Sequence, residues 1–336
     1  MPNETLARAR EAKNDEFYTQ FHDIEKEVNA YLEYNPNVFR DKTILLPCDD
    51  PEWSNFTKYF ALNFEHFGLR KLISTCYVIE GTGETRGKIL VLDKNDIVER
   101  INFKTLKWSY LEGNGDFRSK EICALRDESD IIITNPPFSL FREFLSWIIM
   151  ARKQFLTLGN MNAVSYKEVF PLIKDNKIWL GVVSGAKEYL TPSGDIQKMG
   201  NTCWFTNIEH GRRHQPLPLM PMADNLKFSR HKEIQGRSDY IHYENFDAID
   251  VPYTDAIPGD YDGIMGVPLS FLDKYCPEQF EIIGHPHGDY GLELGLKPFP
   301  RELKKINKGL RDGDLYYMVD GKPELPYRRI LIRKKQ

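Results

Sequence analysis

Four consecutive residues, Asn135-Pro136-Pro137-Phe138, have the types and order to do chemistry. They follow the apolar run Asp130-Ile131-Ile132-Ile133-Thr134, which places them where a strand ends. In an open α/β sheet, ligands bind outside the carboxyl ends of the strands, near the point where strand order reverses. Two prolines fix φ and have no N–H, leaving a rigid loop whose carbonyls are available as acceptors. The Asn135 side-chain oxygen and the Pro136 carbonyl can each accept one N–H of an exocyclic amine on a nucleobase, while Phe138 stacks on its ring. Gripped in this way, the nitrogen lone pair leaves conjugation and points at an electrophile. A Pro-Pro turn that merely ends a strand has the same spelling, so position carries more of this reading than composition.

The elements that must position this loop read as alternating strands and helices. Ile44-Leu45-Leu46 is a short apolar run ended by Pro47. Phe56, Tyr59, Phe60, Asn63, Phe64 and Phe67 then recur at spacings of three and four, predicting an amphipathic helix over 55–67 closed at Gly68. Leu72 to Val78 is the next strand, and residues 81–103 read as a hairpin or loop insertion rather than a crossover helix. After Asp130 to Thr134, helical spacing resumes from Leu140 to Arg152. Strands are expected at 155–158, 178–183 and 202–207, with a helix at 166–176. Such alternation implies an α/β architecture with a mostly parallel sheet covered on both faces. Beyond about Gly181, Pro- and Gly-rich stretches at 216–225 and 252–268 predict loops, short strands and a second, smaller domain.

The 336 residues carry 45 Lys and Arg against 49 Asp and Glu, a net charge of −4. A mildly acidic mean argues against a polyanionic partner, but it conceals opposing blocks. Asp239 to Gly295 holds twelve acids against the single Lys274, whereas Lys297 to Gln336 holds twelve basic residues against five acids. Arg212, Arg213, Lys227, Arg230, Lys232 and Arg237 form an earlier basic stretch with only Asp224 and Glu233 beside them. Basic segments bracketing an acidic one suit a chain that turns one face to a polyanion, although solvated surface segments read the same way. The five cysteines are scattered without a C-x-x-C pair, which argues against a zinc site and a disulfide framework. No apolar run approaches the ~20 residues of a membrane span, and the charged start lacks a signal-peptide core, so cytoplasm is the expected location.

The Asn135 to Phe138 loop resembles motif IV of the amino-methyltransferases, where N-P-P-F or D-P-P-Y prepares adenine N6 for attack on the methyl of S-adenosylmethionine. Protein-glutamine methyltransferases share N-P-P-Y, so the motif alone leaves the substrate open. Other segments narrow it: Asp15-Glu16-Phe17-Tyr18-Thr19-Gln20, the run from Cys48-Asp49-Asp50-Pro51 through Ser54-Asn55-Phe56 to Lys58-Tyr59-Phe60, and Gly115-Asp116-Phe117-Arg118-Ser119. Lys177 to Gly181, Trp204 to Asn207 and Gly263 to Pro268 follow. In this order and spacing they resemble the EcoRI-type adenine-specific DNA methyltransferases, from about Asp15 to the closing Tyr327-Arg328-Arg329-Ile330-Leu331-Ile332.

That resemblance implies a Rossmann-like methyltransferase fold with a mixed, mostly parallel seven-stranded sheet plus a smaller C-terminal target-recognition region. The expected divisions are a cofactor-covering segment at 1–40, an S-adenosylmethionine-binding catalytic core at 41–181, a target-recognition region at 182–250 containing a strand near 202–207, and a C-terminal region at 251–336 that contacts the DNA backbone. Tyr18 and Thr19 are expected over the cofactor's methionine end. Asp49 and Asp50, with Pro51 and Asn55, would shape the cradle or meet the α-ammonium, and Asp116 and Phe117 would hold the adenine, with Asn135 alongside. The usual F-x-G-x-G turn is absent after Leu46, and Thr75, Cys76 and Tyr77 stand where an acid for the ribose is usual, with Glu80 the nearest carboxylate. Pro47-Cys48 has the spelling of a C5-cytosine nucleophile but lies at the cofactor strand.

Arg212, Arg213, Arg230 and Arg237 are expected to meet guanines or phosphates, and Arg328 and Arg329 phosphates. The implied reaction is methyl transfer to N6 of an adenine flipped out of double-stranded DNA. It needs neither metal nor covalent nucleophile, and a monomer performs it, alone or beside a cognate restriction endonuclease. A catalytically silent DNA-binding protein of the same fold, or a methyltransferase for RNA or protein glutamine, are the competing readings.

Overall fold

The computed structural model describes residues 18–78, 85–96, 101, 103, 106–190, 196–306 and 309–335. They pack as two units, one within Met1–Val169 and Lys177–Gly211, the other within Phe170–Asn176 and Arg212–Gln336.

The first unit is built on a sheet of ten strands: β1 (Tyr18–Thr19), β2 (Thr43–Leu46), β3 (Lys71–Thr75), β4 (Lys88–Asp93), β5 (Ser109–Tyr110), β6 (Ile131–Thr134), β7 (Gln154–Asn160), β8 (Trp179–Leu180), β9 (Gly185–Leu190) and β10 (Ile196–Thr206). Their order is β1-β9-β10-β7-β6-β2-β3-β4-β5, with β8 also beside β10. Only the central β7-β6-β2-β3 group is parallel. The flanking pairs are antiparallel. The sheet is therefore mixed, as expected, but larger than the seven strands anticipated. The insertion after β3 supplies β4 as its antiparallel neighbour. Every residue of β2 and β6 is buried, as strands covered on both faces require. Strand order reverses at β2, with β3 on one side and β6 on the other, so the crevice opens at their carboxyl ends.

Ser54 caps the helix Asn55–Leu62 by accepting from the Phe56 and Thr57 N–H groups. The expected single helix to Phe67 breaks at Asn63, whose side-chain amide donates to the Tyr59 carbonyl (2.9 Å), and resumes over Phe64–Phe67. Gly68 ends it at φ 63°. Phe56, Tyr59, Phe60, Phe64 and Phe67 pack with Tyr31 and Trp204 in the main core. The Asn135-Pro136-Pro137 segment continues as a 3-10 turn at Phe138–Leu140 and a helix at Phe141–Met150. No helix among the described residues is long and apolar enough to cross a membrane.

The second unit holds β11 (Ile241–His242), β12 (Ala248–Asp250), β13 (Ile264–Pro268), β14 (Phe280–Gly284) and β17 (Arg329–Lys334) in the order β11-β12-β13-β17-β14, and the hairpin of β15 (Tyr317–Val319) with β16 (Lys322–Glu324). Gly266 on β13 leaves the space that the Tyr243 ring occupies. The Tyr243 hydroxyl thereby donates to Asp250, which also receives Arg329. The helix expected at 166–176 is confined to Phe170–Lys174 and belongs to this unit.

Candidate active site

A cleft in the first unit opens where β2, β3 and β6 end. Thr19, Asp49, Asp50, Asn55, Asp116, Phe117, Asn135 and Pro137 line it, together with Cys48, Ser54, Cys76, Gly115, Arg118 and Leu140. Seven of the residues expected at the cofactor therefore meet in one place. Pro51 is buried and does not line the cleft. The Tyr18 side chain and Glu80 lie outside the described residues.

Asp49 stands just past β2 and is 4% exposed. Its Oδ1 accepts from Ser54 Oγ (2.7 Å) and its Oδ2 from Thr134 Oγ1 (2.6 Å). Burial pushes its carboxyl from 3.8 up to about 7, against the opposing pull of the Thr134 and Ser54 hydroxyls. Between those values the folded chain holds a proton that the unfolded chain releases. The resulting stability is complete below about pH 4 and is lost as pH rises through about 7. Asp49→Asn carries no such charge, so the variant's melting temperature, relative to the unsubstituted protein without cofactor, should rise from pH 5 to about pH 7 and level off by pH 8. Parallel melting profiles across that range would contradict the assignment.

Asp50 accepts from the Glu52 N–H (2.7 Å) in a tight turn and lies 3.6 Å from Lys88 Nζ. Lys88 also donates to Glu52, which holds that carboxyl below its ordinary range, and it lies 4.8 Å from the Trp108 ring centroid. On the opposite wall, Arg118 grips Asp116 through two side-chain bonds of 2.8 and 2.6 Å and lowers its pKa. Phe117 is wedged edge-on against Phe144 and Trp147, leaving it fixed at the cleft wall. Gly115 adopts φ +82°, and a Cβ there would run into the Cys76 carbonyl, so only glycine lets this loop close onto the chain after β3. Ser54, Gly115 and Arg118 stand in the quoted motifs but received no role at the site from the sequence. A cap signal before Asn55 and a G-N-G-D turn were the available clues.

Asn55 Nδ2 donates to the Thr19 carbonyl (2.8 Å), fixing the N-terminal segment over the cleft. Thr19 is 3% exposed and its hydroxyl has no hydrogen-bond partner among the described residues. Buried hydroxyls are rarely left so, and a ligand with a carboxylate or other polar group in this cleft would satisfy it. A hydroxyl in want of a partner, two acids and a fixed aromatic ring fit a nucleoside joined to an amino acid, as S-adenosylmethionine is.

Asn135 and Pro137 reach this same cleft, while Pro136 and Phe138 do not line it. Pro136 is buried, and the Pro137 carbonyl closes the following turn by accepting from Leu140 N–H (3.0 Å). Phe138 is half-buried and packs on the main core. No protein group donates to the Pro136 carbonyl among the described residues.

The arginines expected at DNA divide by burial. Arg213 is 6% exposed and bonded to Asn176 (3.0 Å), and Arg329 is 8% exposed and paired with Asp250 at 2.8 and 3.3 Å. Both have interior partners and do not present a guanidinium to a duplex. Arg230 and Arg237 are exposed, Arg230 with Asp255 beside it at 2.7 Å. Arg212 is half-buried and Arg328 exposed.

A switch-point cleft with an acid-lined cradle, met at one edge by a rigid Asn-Pro-Pro loop, defines an α/β methyltransferase of the amino-group class. The family model described as adenine-specific methyltransferase EcoRI matches residues 5–335. The chain belongs to this EcoRI-type adenine-specific methyltransferase family. It is 40% identical to the type II methyltransferase M.EcoRI of Escherichia coli, over 99% of this chain and 97% of that one. It is 36% identical to the type II methyltransferase M.MpnI of Mycoplasma pneumoniae, covering 82% and 84%, and 33% identical to M.MgeORF184P of Mycoplasma genitalium, covering 98% of each. No solved structure matches.

Proposed function

We infer that this DNA adenine methyltransferase modifies N6 of an adenine within a defined duplex sequence, as the modification partner of a type II restriction endonuclease. The observation that carries this reading is the meeting of Asn135 with the Thr19, Asp50 and Asp116 cradle in one cleft. The chemistry S-adenosylmethionine supplies when bound is an activated, sulfonium-carried methyl. Thr19 and Asn55 would hold its amino-acid end, Asp50 and Asp116 would accept from ribose hydroxyls and the adenine amine, and Phe117 would flank the ring. Asn135 Oδ1 and the Pro136 carbonyl take the two N–H groups of the target amine, so that the protein's task is alignment. A base inside a duplex cannot reach a strand-end loop, so the adenine must be extruded, at a cost on the order of a few kcal/mol. Arg212, Arg230, Arg237 and Arg328 remain as duplex contacts, which assigns target recognition to the second unit. The enzyme acts as a monomer in the cytoplasm.

Incubating the protein with S-adenosylmethionine and plasmid DNA, followed by methylation-sensitive long-read sequencing, should reveal N6-methyladenine at one recurring sequence. Label transferred to RNA or protein glutamine but never to DNA would overturn the substrate. Failure to bind S-adenosylmethionine by calorimetry would favour a silent DNA-binding protein.

A further inference from the structure

Asp49 lines the cofactor cleft, yet each of its carboxylate oxygens already receives a hydroxyl of the chain. Ser54 Oγ also accepts from the Phe56 and Thr57 N–H groups, so its own proton is directed at Asp49 Oδ1. Thr134 Oγ1 meets Oδ2 at 2.6 Å. The two hydroxyls belong to telling neighbours, because Ser54 precedes Asn55, which holds Thr19, and Thr134 precedes Asn135. Asp49 is itself fastened at both backbone groups, its N–H to the Thr75 carbonyl (2.9 Å) and its carbonyl to Ser74 Oγ (2.6 Å). A single buried residue therefore ties the end of β2 to β3 through its backbone, and through its side chain to the cap of the cofactor-side helix and to the last residue before the Asn-Pro-Pro loop. We propose that Asp49 is a positioning residue for methyl transfer, setting Asn135 through Thr134 and the cradle through Ser54, rather than a direct cofactor ligand.

This rests on Asn135 as the group that grips the methyl acceptor. Displacing such a group by an ångström costs about a hundredfold in rate, whereas cofactor contacts on the opposite wall are untouched. Thr134→Val deletes only the hydroxyl. It should lower kcat roughly tenfold to a hundredfold and leave the calorimetric Kd for S-adenosylmethionine within about threefold, below any single lost hydrogen bond to the ligand. Thr134→Ser, which keeps the hydroxyl, should restore most of kcat. Asp49→Asn keeps one oxygen to accept from Ser54 Oγ but puts an NH2 where Thr134 Oγ1 donates, so it should follow Thr134→Val in direction and in the split between kcat and Kd. Wild-type kcat in Thr134→Val overturns the proposal. So does an Asp49→Asn protein that binds S-adenosylmethionine more than about tenfold less tightly, the loss of one charge-assisted bond, with kcat unchanged at saturation. If Thr134→Val melts out, Asp49→Asn and Thr134→Ser decide the matter. Should the unsubstituted enzyme prove to methylate something other than DNA adenine, that failure is visible in its own product, and the same kcat and Kd comparison is made on the acceptor it does use.

Discussion

Asn135→Ala is expected to lower methyl transfer to duplex DNA by roughly a thousandfold, while S-adenosylmethionine still binds within about threefold, the scale of losing no direct hydrogen bond. The side-chain amide is the element of the loop that can be deleted without moving its backbone. The prolines on its C-terminal side hold the chain, and β6 is pinned on its N-terminal side by pairing with β2 and β7. Without the Asn135 oxygen the amine keeps only the Pro136 carbonyl, and its lone pair is no longer directed. The cradle of Thr19, Asp50, Asn55 and Asp116 does not depend on that oxygen. Single-turnover transfer of labelled methyl, paired with calorimetry, separates the two effects. N6-methylation at a wild-type rate would remove Asn135 from the mechanism.

The second large effect concerns stability. Arg329→Ala should destabilise the protein by about 3–5 kcal/mol, because removing one member of a buried ion pair strands the other. Asp250 is 4% exposed and would retain only the Tyr243 hydroxyl, whose pKa burial and this same carboxylate already push well up. Arg329 also donates from its side chain to the Tyr327 carbonyl (3.0 Å), so the loop before β17 loosens with the pair. Lysine cannot reproduce the fork and should recover little. The neighbouring Arg328→Ala should change stability by less than about 0.5 kcal/mol yet reduce the salt dependence of DNA binding by about one unit of slope. Urea unfolding and DNA titrations at several salt concentrations test both. Equal stability of the two alanine variants would show that the Arg329–Asp250 pair contributes nothing.

These two arginines show where sequence reasoning stops. Adjacent in the chain and alike in type, they differ because β17 starts at Arg329, whose side chain is drawn inward to Asp250, whereas Arg328 lies exposed in the bend before it, and where that strand starts depends on partners β13 and β14 far away in sequence. The same holds for Asn207, just past β10, which is spent inside the fold because it donates to the Lys153 carbonyl and accepts from Phe155 N–H. By contrast the strand end before Asn135 was legible, since an apolar run followed by two prolines defines it by local chemistry alone. So were β2, β7 and most of the cleft, which lies immediately past apolar runs. The antiparallel additions β4 and β9 were less visible, because their pairing is decided by long-range contacts. The Lys177 to Gly181 segment supports the fold: Glu27 sits against Gly181 and accepts from the Val182 and Val183 N–H groups at 2.9 and 2.7 Å.

The short helix Phe170–Lys174 sits inside the first unit's stretch of sequence but packs in the second unit, where Phe170 meets the rings of His285 and Tyr290. The chain therefore crosses between units three times, and neither is a single uninterrupted piece of sequence. For protein engineering this means that a chimera made by grafting a relative's counterpart of residues 212–336 would seat foreign side chains against a native Phe170. A transplant intended to exchange target preference must carry residues 170–176 with it, as a two-part insert.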